Sequence, residues 1–300
     1  MANQDIYERE RKRMLVGLQY QKQKPGSIAD RAFYRNLFGD HPYAADPSGT
    51  EVSVAALTGQ DLRSFYRRYY VASNAVVVIV GDVSVDHARQ LAARLSGSLE
   101  QGEPASALPE VKTPADANEV FIEHPSSQSH VLMGAPGVQR KDPDYFPLYV
   151  GNHILGGSGL VSRINEEIRE KRGLSYSAYS YFQPMRENGP FILGLQTRND
   201  QVETALTVLK QTLAEFVAKG PTEKELQASK KNITGGFPLR IDSNKDLVEY
   251  AAMIGFYGLP LDYLDTFNAQ VEALTVEQIR AAFQRRVKPE QMVTVVVGNS

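Results

Sequence analysis

The 300-residue chain contains no cysteine. That excludes disulfides, thiolate metal sites and a cysteine nucleophile, and fits a reducing or an oxidising compartment equally. It has no surplus of either charge: 33 basic against 35 acidic residues give a net charge of −2. No polyanionic partner is implied, and a nucleic-acid module finds no support in charge or motif. No long apolar run is present. The longest purely aliphatic stretch, Ala75 to Val80, has the length of a strand and falls far short of a membrane span. The charged opening residues run straight into a helical pattern, which argues against a signal peptide.

Several catalytic motifs are also missing. None of the five histidines, His41, His87, His124, His130 and His153, stands four residues from another, so no helix presents two imidazoles on one face for zinc. His41 sits in a proline-bounded loop and reads as a turn residue. His124 and His130 read as structural strand residues. Gly157-Ser158-Gly159 lacks the frame of a nucleophile elbow. Gly156-Gly157-Ser158-Gly159 is too short for a phosphate-binding loop and has no lysine.

What is present alternates helices and strands. Helices are expected over 6–21, 28–37 (capped by Ser27), from Thr58 through Tyr69, and over 86–99. A buried strand is expected at Ala75–Val80. Residues 102–118, rich in proline, alanine and glycine, read as a linker. Strands follow at 119–123 and 130–134, then a helix capped by Asp142 or Asp144 and ending at Gly156. A hairpin is expected with arms up to Phe182 and over Phe191–Thr197. Five further helices, the first striped by Val202, Leu206, Leu209, Leu213 and Phe216 and the second opened by a capping box of Thr222 with Glu225, and a last strand, Met292–Val297, complete the pattern.

One internal repeat stands out. Leu57 to Leu62 matches Leu274 to Ile279, and Asn74 to Gly81 matches Gln291 to Gly298, both at a separation of 217 residues without a gap. Two copies of one large unit are expected: residues 1–101 as the later part of a first copy, 102–118 as linker, and 119–300 as a complete second copy. A full first copy would begin roughly 98 residues ahead of Met1, so the chain is expected to be N-terminally truncated.

The richest stretch is Gly156 to Ser180. Leu160, Ile164 and Ile168 form a helical stripe, and Gly173 is placed to close the helix. From Leu174 the period changes to that of a strand, with Leu174, Tyr176 and Ala178 on one face. Arg169, on the last helical turn, and Tyr176, on the strand, are thereby carried on two elements that meet at a corner. On these residues alone two readings stay open: a water-facing arginine beside a core tyrosine, or a pair poised for binding.

With the repeat, the run Ser162-Arg163-Ile164 to Ile168-Arg169-Glu170-Lys171-Arg172-Gly173-Leu174-Ser175-Tyr176-Ser177, and His41-Pro42-Tyr43 with Gly49-Thr50, the chain resembles the pitrilysin/insulinase-type zinc peptidases, which include mitochondrial processing peptidase. The resemblance spans essentially the whole sequence. It implies an α+β fold of two homologous units, each a mixed, largely antiparallel sheet covered by helices on one face, the first unit here incomplete. The family's zinc ligands belong to the first unit: an inverted His-x-x-Glu-His helix and a later glutamate. The position matching that glutamate is Gly17, which cannot bind metal. No metal or cofactor is therefore expected in this chain.

The family's second unit carries an arginine and a tyrosine seven residues apart that hold substrate against the zinc site, and Arg169 and Tyr176 match them. The loop Gly156, Gly157, Ser158 and Gly159 is assigned to substrate binding. In paired bacterial members one subunit bears zinc and its partner bears the Arg–Tyr pair. The resemblance implies that this chain is the second kind: inactive alone, binding peptide, and completing the site of a zinc-bearing homologous subunit in a heterodimer, with a bacterial envelope location. A fragment of an active metalloendopeptidase and a purely structural scaffold are the alternatives.

Overall fold

The computed structural model describes residues 2–299, with side chains from Gln4 onward. One five-stranded mixed sheet organises it. Its strands are β1 (Asn118–Glu123), β2 (Gln128–Pro136), β3 (Ser177–Phe182), β4 (Pro190–Arg198) and β5 (Val293–Gly298), in the order β1-β5-β2-β4-β3. β1 and β5 run parallel; every other neighbouring pair is antiparallel. The last strand of the chain is thus inserted between the first two.

Alternation along the strands separates two cores. Val131, Met133, Ala135, Phe191, Leu193 and Leu195 face the larger one. It is covered by helices α6 (Tyr145–Asn152), α8 (Val202–Lys219) and α12 (Val276–Arg286), with α9 (Glu223–Gly236) and α11 (Tyr263–Glu272) outside them. Phe283 of α12 sets its ring edge-on to Phe216 of α8 at 4.9 Å. The opposite sheet face presents Leu132, Ile192, Val293, Val295 and Val297 to helix α2 (Pro25–Phe38), whose Ala29, Phe33 and Leu37 are buried there. So the sheet has helices on both faces, the second supplied by the chain's N-terminal third. α2 begins three residues earlier than Ser27 suggested, because Pro25 is tolerated in a first helical turn.

Helices α1 (Ala2–Gln21), α3 (Glu51–Ala56), α4 (Gly59–Tyr69) and α5 (Val85–Ser96) complete that third, and α10 (Asn244–Tyr257) completes the helices named here. α4 and α12 have the same length, start 217 residues apart, and both open on a threonine capping box, Thr58 with Asp61 and Thr275 with Gln278. Their surroundings differ. Ile279 and Phe283 are fully buried, whereas Leu62 and Tyr66 at the matching positions are exposed. The same contrast decides Ala75–Val80. The sequence predicts a buried strand there, but the segment is extended and unpaired, exposed over residues 75–77 and half-buried over 78–80: Val76 keeps 54% of its surface against 1% for Val293. Among the described residues no strand runs alongside, and extended backbone becomes a strand only by pairing.

The linker has no regular structure, yet it is tied down. Val111 is buried under α2, and the Pro109 carbonyl lies 2.9 Å from His41 Nε2.

Candidate functional site

The corner carrying Arg169 is built differently from the expected single helix. α6 runs on into a π turn, His153–Gly157; a 3-10 turn occupies Gly159–Val161; Ser162 then caps a short helix, α7 (Arg163–Asn165), which widens into a second π turn, Glu166–Glu170. Ile164 and Ile168 are fully buried, but Leu160 precedes the cap and is exposed, so it does not belong to their stripe. Gly159, with φ +65°, takes the left-handed backbone that breaks the helix there. Single π turns concentrate where a helix must place a side chain off the regular spacing. Gly173, at φ +62°, closes the element: its N–H donates to the Arg169 carbonyl at 2.9 Å, and Leu174 N–H donates to Ile168 at 2.9 Å.

β3 starts at Ser177, not at Leu174. Leu174 and Ser175 are buried, held by Thr197 Oγ1 donating to the Leu174 carbonyl at 2.6 Å. Tyr176 therefore stands just before the strand rather than on its face, and 83% of its surface is exposed. The structure still brings the pair together: the Arg169 guanidinium lies 5.9 Å from the Tyr176 ring centroid, within cation–π range. Among the described residues Arg169 forms one ion pair, with Glu170 at 3.5 Å. The phenol faces solvent, and the Arg169 side chain is half-buried.

The glycine loop divides. Gly156 is buried against β3, where a Cβ would come within 2.6 Å of Ser180 N, so its lack of a side chain lets the loop pass the strand. Gly157 and Gly159 are exposed, and Ser158 is half-buried.

Sequence reasoning missed the residues that lock this corner. Asn152 Nδ2 donates to the Ser180 carbonyl at 3.0 Å, and Ser180 Oγ returns a bond to Asn152 Oδ1 at 2.7 Å. Asn165 Nδ2 reaches the carbonyls of Ala178 (2.8 Å) and Gly159 (2.9 Å) and the Ser162 hydroxyl (3.0 Å). These amides cover the outer edge of β3, which would otherwise invite a further strand. Asn152, set in the mainly apolar run from Tyr145 to Leu155, is the one signal the sequence held, since a buried amide requires partners.

Arg163 anchors the loop to α9 through Glu225 (2.6 and 2.7 Å). Burial pushes the Glu225 carboxyl up, but bonds from Arg163 and Thr222 outweigh it and bring the carboxyl down to about 2. His153 is also structural: Ser229 Oγ lies 2.9 Å from its Nδ1 and Asn232 Oδ1 3.1 Å from its Nε2, in half-buried surroundings.

Among the described residues no three His, Cys, Asp or Glu side chains cluster as a metal site. Gly17 lies exposed in mid-α1 with open space around it. Also among the described residues, no helix is long and apolar enough to cross a membrane.

The mixed-sheet α+β fold is that of the peptidase M16 inactive domains. The sequence profile of the peptidase M16 inactive domain matches residues 56–233. The chain belongs to that family. It is 30% identical over 280 residues to an uncharacterized zinc protease of Streptomyces coelicolor, covering 91% of this chain and 60% of the relative. It is 26% identical over 300 residues to the non-peptidase homolog YmxG of Helicobacter pylori, covering 99% and 68%. The chain thus spans about three-fifths of the first relative's length. Its fold superposes on a peptidase M16 inactive domain from Pseudomonas fluorescens with TM-score 0.95 at 39% identity, over 99% of this chain and 70% of that one. A protease from Helicobacter pylori shares the fold at TM-score 0.89 and 21% identity, over 98% and 72%.

Proposed function

We propose that this chain is the silent subunit of a two-subunit zinc peptidase: it binds peptide and completes the active site of a zinc-bearing homologous subunit. The observation that carries this reading is the Arg169 guanidinium poised over the exposed Tyr176 ring, on a corner fixed by Asn152 and Asn165. When bound in the partner, zinc would supply a polarised carbonyl and an activated water. This chain's residues act on the other side of the same peptide bond. Arg169, a rigid fork of donors, holds a substrate carbonyl. Tyr176 donates its phenolic proton in a hydrogen bond to the oxygen on which negative charge develops. Part of the same reading is that residues 1–101 and 119–300 are two copies of one unit joined by 102–118, supported by the equal spacing of α4 and α12.

The test is complementation. The chain alone should cleave no quenched peptide after zinc reloading. Mixed with a homologous subunit bearing His-x-x-Glu-His, it should raise cleavage well above that subunit alone. A tightly held zinc in this chain would overturn the reading, and so would a partner equally active without it. A chain that binds its partner without affecting rate would be a scaffold.

A further inference from the structure

The two edges of the sheet are finished differently. β3, at one edge, gives its Ala178 and Ser180 carbonyls to the side-chain amides of Asn165 and Asn152. β1, at the other edge, pairs with β5, and among the described residues no strand lies on its outer side. β1 runs parallel to β5, so alternate residues turn both of their backbone groups toward it. Asn118 N–H donates to the Met292 carbonyl at 3.2 Å and His124 N–H to the Gly298 carbonyl at 2.8 Å, which marks residues 118, 120, 122 and 124 as the paired set. Glu119, Phe121 and Glu123 therefore turn their N–H and C=O groups to the open edge. Phe121 keeps 53% of its surface exposed there.

A groove of about 520 Å³ runs beside that edge, between β1 and α2. Val120 and Ile122 of the strand and Ile28 and Ala32 of the helix supply its apolar floor. Its charged lining residues are Lys22, Arg31 and Arg35, all cationic. Lys22 is paired with Glu51 and Arg31 with Asp46, whereas Arg35 forms no ion pair among the described residues. Arg35 lies near the start of β1, where its neighbour Asn36 accepts a bond from Asn118 Nδ2 at 3.1 Å. Lys22 lies toward the end, where His124 Nε2 is 3.2 Å from the Gln23 carbonyl.

An unpaired edge is a template for another strand. Backbone pairing supplies the affinity of such an addition, and the side-chain surroundings choose the sequence. Here the floor favours apolar side chains on the incoming face that meets α2, and the cations favour acids on that same face. We propose that β1 is a docking edge for an extended segment of another polypeptide, whose one face carries apolar residues flanked by acidic ones. β1 and β3 are opposite edges, about 19 Å apart at the spacing of neighbouring strands. A strand docked on β1 thus lies away from the Arg169–Tyr176 corner and is not the peptide held there.

The experiment is fluorescence anisotropy on the whole chain. The probe is a labelled peptide whose one strand face reads glutamate, valine, valine, glutamate and whose other face is threonine. Its control has lysine in place of both glutamates. The acidic peptide should bind at least about tenfold tighter at low salt. Arg35→Glu should erase that preference and leave the melting temperature unchanged, since the side chain is exposed. Backbone N-methylation of the acidic peptide along its pairing edge should abolish binding, and hydrogen exchange should show the Glu119, Phe121 and Glu123 amides slowed in the complex. Equal binding of the two peptides, no binding of either, or a preference that survives Arg35→Glu would overturn the docking edge. Binding that tolerates N-methylation and leaves those amides unprotected would overturn it in favour of a groove for side chains or small molecules. Protection of the same amides without peptide, growing with protein concentration, would overturn it in favour of a second copy of this chain. If Arg169→Ala or Tyr176→Phe abolished binding, the probe would sit at the corner: the docking edge would fall and the subunit reading would stand.

Discussion

Asn165 donates its side-chain amide to the Ala178 carbonyl at 2.8 Å, tying the helix that leads to Arg169 directly to the strand that follows Tyr176. The same amide reaches the Gly159 carbonyl, so one buried side chain sets loop, helix and strand relative to one another. Asn165→Ala leaves those carbonyls without their donor, at a cost of about 1–3 kcal/mol. The expected outcome is a melting temperature lower by several degrees. The partner-assisted rate should fall as well, although Asn165 touches no substrate, and thermal denaturation with complementation kinetics reads both.

Glu225 gives the corner a defined acid sensitivity. Its folded-state carboxyl sits at about 2, against about 4.3 for a free glutamate. Between those values the unfolded chain binds a proton that the folded chain refuses. The stability contributed is therefore full above about pH 4.3 and is lost as pH falls toward 2. The pair is partly solvated, so the contribution is on the order of 1 kcal/mol. Melting curves from pH 6 down to 3 should fall less steeply for Glu225→Gln than for wild type; parallel curves would contradict the assignment.

Gly17 tests the helix it occupies. A Cβ there meets nothing within 4 Å. Gly17→Ala should stabilise the protein, by up to about 1 kcal/mol. Circular dichroism melting would show it as a higher midpoint, and a lower midpoint would mean the position has an unseen contact.

Tyr66 and Phe283 occupy matching positions in α4 and α12 but should respond oppositely. Phe283 is fully buried among Phe182, Phe191 and Phe216, so Phe283→Ala should cost about 3–5 kcal/mol. Tyr66 is exposed and stacked on Tyr70 at 4.7 Å, and Tyr66→Ala should stay within about 0.5 kcal/mol. With Leu62 and Phe65, Tyr66 forms an exposed apolar face. Replacing Leu62 and Phe65 by serine should reduce dye binding and self-association in this chain. Chemical denaturation and light scattering separate the two effects.

Much of this was legible in the sequence because it is local. The capping boxes at Thr58, Thr222 and Thr275 start helices where expected, and the apolar period of α8 marks its buried face. The hairpin of β3 and β4 followed from alternation. What failed depended on neighbours. Val76 to Val80 has the composition of a strand but, among the described residues, no strand beside it. Leu160 fits the helical spacing of Ile164, yet Gly159 and Ser162 restart the backbone between them. Tyr176 fits the strand period, but pairing begins one residue later, at Ser177 opposite Gln196. Asn152 and Asn165 gave no motif at all, because their importance lies in carbonyls 28 and 13 residues away.

The central claim is that Tyr176 and Arg169 act in a partner's active site, and steady-state kinetics of the assembled pair tests it most directly. Tyr176→Phe keeps the ring and removes only the donor, so kcat should fall on the order of 10²-fold with KM little changed. Arg169→Ala should raise KM as well, since a carbonyl clamp works in ground and transition states alike. Both variants should melt as wild type does, because Tyr176 is exposed and Arg169 partly so. Unchanged kcat and KM in both variants, with the complex intact, would contradict the account.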